Sequence, residues 1–171
     1  MVSYKKKFNK LKPLIGVFTF VILSTLVVNL FFNLGLMQTG QAFMALFFLT
    51  FGSFKIYNLE GFVKAFKMYD PLAERYSVYA KGYPFIELGL GLMYAAITFF
   101  TVPSIEVFVY TLTVLVVGLN AVGVFKALSE GKKIQCACLG DVFNVPMTWV
   151  TLFEDMLMVA MAVVMLLLTL I

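Results

Sequence analysis

The sequence predicts an all-α membrane protein: a bundle of five transmembrane helices with its N-terminus inside. Three observations predict it. Of the 171 residues, 62% are hydrophobic and only 13% charged, whereas soluble domains are about half apolar and about a quarter charged. The apolar residues fall in long runs separated by short polar breaks. All 13 Lys and Arg residues lie in alternate breaks, the bias that membrane insertion imposes on cytoplasmic loops. Lipid covers most of such a surface, so a single domain suffices.

Taken in order, residues 1–13 form a basic arm with Lys5, Lys6, Lys7, Lys10 and Lys12, closed by Pro13. The first span covers about 14–37, more than the roughly 20 residues that cross a bilayer. Met37-Gln-Thr-Gly-Gln41 is not a small-residue cleavage site, so this span is expected to be an uncleaved helix and not a secretory signal. Gly40 and Gln41 break the run, and 42–56 forms the second span. Lys55 ends it, with its stem along the helix and its ammonium expected at the interface. In 58–79, Leu59, Phe62, Phe66 and Tyr69 recur at helical spacing with Lys64 and Lys67 elsewhere on the wheel. That pattern predicts a helix lying in the interface plane, ended by Pro71.

Pro84 opens the third span, 84–100, where Gly89, Gly91 and Ala95 offer a small-residue face for close helix packing. A tight turn, Thr101-Val-Pro-Ser104, leads to the fourth span, 105–128, with Gly118, Asn120 and Gly123 near its inner half. Residues 129–145 form a loop that holds both cysteines, and Pro146 opens the fifth span, 146–171. Residues 14–171 thus make one bundle domain.

The N-terminal arm, the segment between spans two and three and the cysteine loop share one side. The first carries five Lys, the second with its flanks Lys55, Lys64, Lys67, Arg75 and Lys81, the third Lys126, Lys132 and Lys133. The positive-inside rule puts this side, and the cysteine loop with it, in the cytoplasm. The net charge of +4 is therefore a topology signal. Membrane lipid is the expected partner, and no nucleic acid.

There is no histidine, which excludes Ser-His-Asp and Cys-His catalysis, His-ligated haem and His-containing metal sites. Two cysteines cannot build a four-thiolate zinc site. Cys136 and Cys138 are separated by one alanine. Thiols this close can form a disulfide, exchange with another dithiol, clasp a soft metal ion, or serve as plain small hydrophobes. Lys132 and Lys133 favour a thiolate there and Asp141 opposes it. Gly140 is expected to turn the loop back, since Leu139, Val142, Phe143 and Val145 are too apolar for a solvated loop and should lie against the helix ends.

Polar groups inside a membrane are costly and default to functional candidates. Glu154 lies about 12 Å along the last helix from Pro146, at about 1.5 Å per residue. Asp155 follows it, Glu87 lies one turn into the third span, and Lys55 ends the second. On the predicted topology all four share a leaflet with the cysteines. Glu154, Asp155 and Glu87 are candidate proton carriers and Lys55 a candidate counter-ion. The structural alternatives are Glu87 complementing a helix dipole and Glu154 or Asp155 pairing with Lys55 or Lys126. Met147, Glu154, Met158, Met161 and Met165 share one helical face. With Cys136 and Cys138, these methionines would suit Cu(I), although methionine is also ordinary filler in apolar helices.

Phe51-Gly-Ser-Phe-Lys55, Tyr69-Asp-Pro-Leu72 and Pro84-Phe-Ile-Glu87-Leu-Gly89-Leu-Gly91 resemble the core pattern of DoxX-like membrane proteins. The Cys-Ala-Cys-Leu-Gly loop before the last helix narrows the resemblance to the methylamine-utilisation MauE branch, the redox-associated membrane proteins, over roughly residues 40–171. The resemblance implies a DoxX-like core of four helices plus the N-terminal one, in a bacterial inner membrane. It implies help with maturation of disulfide-rich partners, with Cys136 and Cys138 carrying the exchange and Glu87 and Lys55 as characteristic polar positions. It also makes a quinone conceivable as electron acceptor.

Two functional expectations follow, beside a bland one in which the chain is a structural or assembly subunit. The first is a thiol–disulfide redox protein taking electrons from a thioredoxin-like dithiol protein, with the acids holding the accompanying protons. The second is a soft-metal protein receiving Cu(I) from a metal chaperone.

Overall fold

The computed structural model describes residues 2–131, 134–139 and 147–171, with side chains from Lys12 onward. Seven helices are described: α1 (Val2–Phe32), α2 (Leu36–Tyr57), α3 (Leu59–Phe66), α4 (Pro71–Arg75), α5 (Ser77–Phe99), α6 (Pro103–Ser129) and α7 (Trp149–Leu170). Four of them, α1 from Lys12, α5, α6 and α7, are long and apolar enough to cross a membrane. The bent pair α2 and α3 makes a fifth span if counted as one. This is the all-α membrane bundle that the composition predicts. The most extensive helix pairs are α2 with α5 and α6 with α7, and α1 packs on α2. Phe31, Leu92, Leu119 and Leu168 are exposed on the outside, where lipid replaces water as the solvent.

The first break falls earlier than the sequence suggests. α1 ends at Phe32, not near 37, and α2 begins at Leu36, not 42. Asn33 adopts φ 49°, a left-handed conformation that Asn tolerates better than most residues. Its N–H donates to the Asn29 carbonyl at 2.8 Å. Gly40 and Gln41 lie inside α2. Gln41 is tolerated there because its Nε2 donates to the Tyr110 hydroxyl at 2.6 Å.

Pro13, expected to close the N-terminal arm, and Pro84, expected to open the third span, each lie inside a helix. α5 begins at Ser77, since Ala80 and Tyr83 in its first turns are buried. That packing outweighs the roughly 3 kcal/mol that an interior proline costs. The close approach of α2 and α5 rests on Gly91, where a Cβ would sit 2.8 Å from Leu49 Cγ. Gly89, expected on the same small-residue face, has nothing within 4 Å of its Cβ position.

α3 leaves α2 at 101°. Asn58 makes the corner, its side chain accepting from the Gly61 N–H at 3.1 Å. The apolar face of α3 turns into the bundle: Phe62 and Phe66 are buried, and the Phe66 and Tyr83 rings lie 4.6 Å apart. Asp70 then caps α4 through the Ala73 N–H at 2.7 Å. The Tyr69–Asp70 corner presses on Gly123 of α6, where a Cβ would sit 2.8 Å from the Tyr69 carbonyl oxygen.

Candidate functional site: a polar cavity beside the cysteine pair

The cysteine segment connects α6 to α7 and is tied to the approach of α7 by the Met147 N–H donating to the Ile134 carbonyl at 3.0 Å. Cys136 and Cys138 are joined by a disulfide across Ala137. Cys136, Ala137 and Leu139 are buried, and Cys138 is half-buried. The Cys136 sulfur accepts from the Cys138 N–H at 3.2 Å and from the Thr151 hydroxyl at 3.7 Å. Lys132, Lys133, Gly140, Asp141, Val142, Phe143, Val145 and Pro146 lie outside the described residues, so the expectations attached to them find no counterpart here.

Cys138 lines a small cavity at one end of the bundle. The other polar residues around it are Lys55 from the end of α2, Glu87 from α5, Asn120 from α6, Glu154 and Asp155 from α7, and Tyr69 and Tyr83. Phe47, Phe48, Phe51, Phe62 and Val117 complete the wall. The open space is about 20 Å³, room for about one water. The four ionisable residues singled out in the sequence thus meet one another and one of the two cysteines.

Their pairing differs from the sequence expectation in three respects. The Lys55 ammonium does not reach for the interface. It turns inward, forms an ion pair with Glu87, and lies 5.2 Å from the centre of the Tyr83 ring and 5.7 Å from that of Phe62. A carboxylate and two ring faces replace its hydration. Glu87 is not a first-turn acid complementing a helix dipole, because α5 starts ten residues before it at Ser77. Neither Glu154 nor Asp155 takes Lys55 as its ion-pair partner. Asp155 instead accepts from Asn120 Nδ2 at 2.9 Å.

Two buried acceptor atoms of the cavity-lining residues, Glu87 Oε2 and Asn120 Oδ1, have no protein partner. Buried polar atoms are normally satisfied by protein or ordered water, and a cavity of this size suits a water bridging them. Tyr69 supplies a donor. Burial, then the nearby Asp155, Asp70 and Glu87 charges, hold its hydroxyl well above the usual tyrosine range, so it keeps its proton.

Asn120, Tyr69 and Tyr83 were not among the sequence candidates. Asn120 carried a signal, a carboxamide inside an apolar run, but the two tyrosines look like ordinary aromatics until the fold turns them inward. A further buried acid, Glu106 in the first turn of α6, lies near Thr169 at the end of α7, whose hydroxyl donates to it at 3.4 Å.

The methionines are divided between two packing clusters, and Cys136 lies in the same core cluster as Met158 and Met165. Met147 precedes α7 and packs in the cluster around Phe66 and Tyr83. Met158 and Met165 are buried in the main core. Met161 and Met165 line a separate apolar crevice of about 690 Å³ between α1, α2 and α7. Among the described residues no group of three or more His, Cys, Asp or Glu is placed to hold a metal ion. A quinone does not fit the cavity at Cys138, which has room for about one water. In the large crevice the hydroxyls of Thr25 and Thr39 are bonded to the carbonyls of Val21 and Gly35.

No curated protein and no solved structure matches the chain. A family model described as Methylamine utilisation protein MauE matches residues 33–168, most of the chain, and the chain belongs to the MauE family.

Proposed function

We propose that this MauE-type multi-pass membrane protein is a thiol–disulfide carrier in which Cys136 and Cys138 cycle between disulfide and dithiol. The observation that carries the reading is the shared cavity: Cys138 lines it together with Glu87, Glu154 and Asp155. Reducing a disulfide takes two electrons and two protons. The electrons come from a thioredoxin-like dithiol protein, which leaves as its own disulfide. The protons come from its thiols and pass to the two cysteine sulfurs, with the cavity carboxyls as stations on the way. Lys55 holds the charge on Glu87 in place.

The distribution of the 13 basic residues supports a cytoplasmic N-terminus and cysteine loop in a bacterial inner membrane. Electrons then enter from a cytosolic dithiol. The cavity is built from the end of α2, the first half of α5, the second half of α6 and the start of α7. In an alternating bundle those parts fall on the same side as the loop.

The test uses the oxidised protein in lipid nanodiscs and a reduced thioredoxin. The reading expects one thioredoxin dithiol oxidised per chain, and none with Cys136→Ser or Cys138→Ser. An oxidised wild-type chain that leaves the thioredoxin reduced would overturn it.

A further inference from the structure

The two sulfurs are not equivalent. The Cys136 sulfur receives two donors, the Thr151 hydroxyl and the Cys138 N–H. Thr151 is the third residue of α7, a helix of 22 residues, so the positive end of that helix dipole lies beside the same sulfur. Cys136 is 1% exposed, which shields it from an incoming reagent. Cys138 is half-buried and borders the cavity that holds Glu154 and Asp155. Carboxylates there oppose negative charge on its sulfur.

Resting on the redox reading above, we infer that an incoming thiolate attacks Cys138 and that Cys136 is the sulfur released. Attack is fastest on the sulfur that can be reached, with departure of the sulfur that best bears the charge. In the first step the partner thiolate forms a bond to the Cys138 sulfur. The Cys138–Cys136 bond breaks, and its electron pair stays on Cys136, facing the Thr151 hydroxyl. In the second step the partner's other thiol loses its proton and attacks the partner sulfur of the mixed disulfide. The partner's disulfide forms, and the electron pair of the broken bond stays on Cys138. The proton lost by the partner's second thiol passes through the cavity carboxyls to complete the Cys138 thiol, and the proton that the partner's first thiol gave up on ionising completes that of Cys136. Thr151 is a positioning and charge-stabilising residue in this scheme; it never bonds to the partner.

The experiment uses the oxidised wild-type chain in nanodiscs and a thioredoxin whose second cysteine is replaced by serine, so that the first step is trapped. Acid quench, alkylation of the released thiol and fragmentation mass spectrometry then locate the adduct. The inference expects thioredoxin on Cys138 and the alkyl group on Cys136. Thr151→Val should slow adduct formation by up to about tenfold, the effect of one lost hydrogen bond, and Thr151→Ser, which keeps the donor, should restore it. Thioredoxin on Cys136 would overturn the assignment while leaving the redox reading intact, as would an unchanged rate in a folded Thr151→Val. No adduct on either cysteine would overturn the redox reading itself.

Discussion

Lys55 at the end of α2 and Glu87 in α5 form an ion pair inside the bundle, 32 positions apart in the chain. Both are buried. The pair joins the two helices that also pack most closely, and it sits in the wall of the cavity beside Cys138.

Removing one partner of a buried pair leaves an uncompensated charge, which costs about 3–5 kcal/mol. Lys55→Met should therefore lower the thermal midpoint sharply, and Lys55→Met with Glu87→Leu should recover most of the loss. Thermal unfolding of wild type, singles and double in detergent measures this coupling. Additive losses would mean that the two side chains act independently.

Gly123 and Gly89 make a matched pair of tests. A methyl group at Gly123 would press on the Tyr69 carbonyl oxygen at 2.8 Å, so Gly123→Ala should cost about 1–3 kcal/mol by overpacking. At Gly89 nothing lies within 4 Å, and Gly89→Ala should stabilise by roughly 0.5–1 kcal/mol through helix propensity. Opposite signs in one denaturation series are the expected result.

Asp70 supplies a pH test. Burial, set against its backbone hydrogen bonds to Ala73 and Leu72, raises its carboxyl above the usual 3.8. The folded state then binds that proton more tightly than the unfolded chain. The stability this group contributes is full below its unfolded value and is lost as pH rises through its folded value. Asp70→Asn keeps an acceptor for the Ala73 N–H and should flatten this part of the stability profile above the usual carboxylate range. Asp70→Ala should lose the cap as well, at about 1 kcal/mol.

Much of this architecture was legible in the chain because lipid imposes simple rules. Apolar runs of sufficient length and one-sided basic residues announced the bundle, and the rarity of charge inside it marked Lys55, Glu87, Glu154 and Asp155. Helix boundaries were less legible. Proline at 84 and glycine at 40 look like breaks locally, but the burial of Tyr83 and the Gln41–Tyr110 hydrogen bond carry the helices through them. The true break at Asn33 depends on a left-handed backbone that Asn permits without advertising it. Which acid pairs with Lys55, and which tyrosines face the cavity, depend on helix rotation, and that emerges only once the helices pack.

Glu154 and Asp155 are the acids on α7 that border the cavity at Cys138. Glu154→Gln and Asp155→Asn should each slow dithiol exchange, on the order of a hundredfold where general acid–base work is lost, while the Cys136–Cys138 disulfide still forms. Stopped-flow rates with reduced thioredoxin, beside thiol counts on the same samples, separate the two effects.

The most direct measurement is the redox state of Cys136 and Cys138 in living cells. Rapid acid quench, alkylation and the intact mass of the purified protein read it in one step. The account predicts a mixed population that shifts toward disulfide with added oxidant and toward dithiol with added reductant. A pair that stays fully reduced through oxidant treatment, or that resists alkylation until a chelator is added, would contradict it.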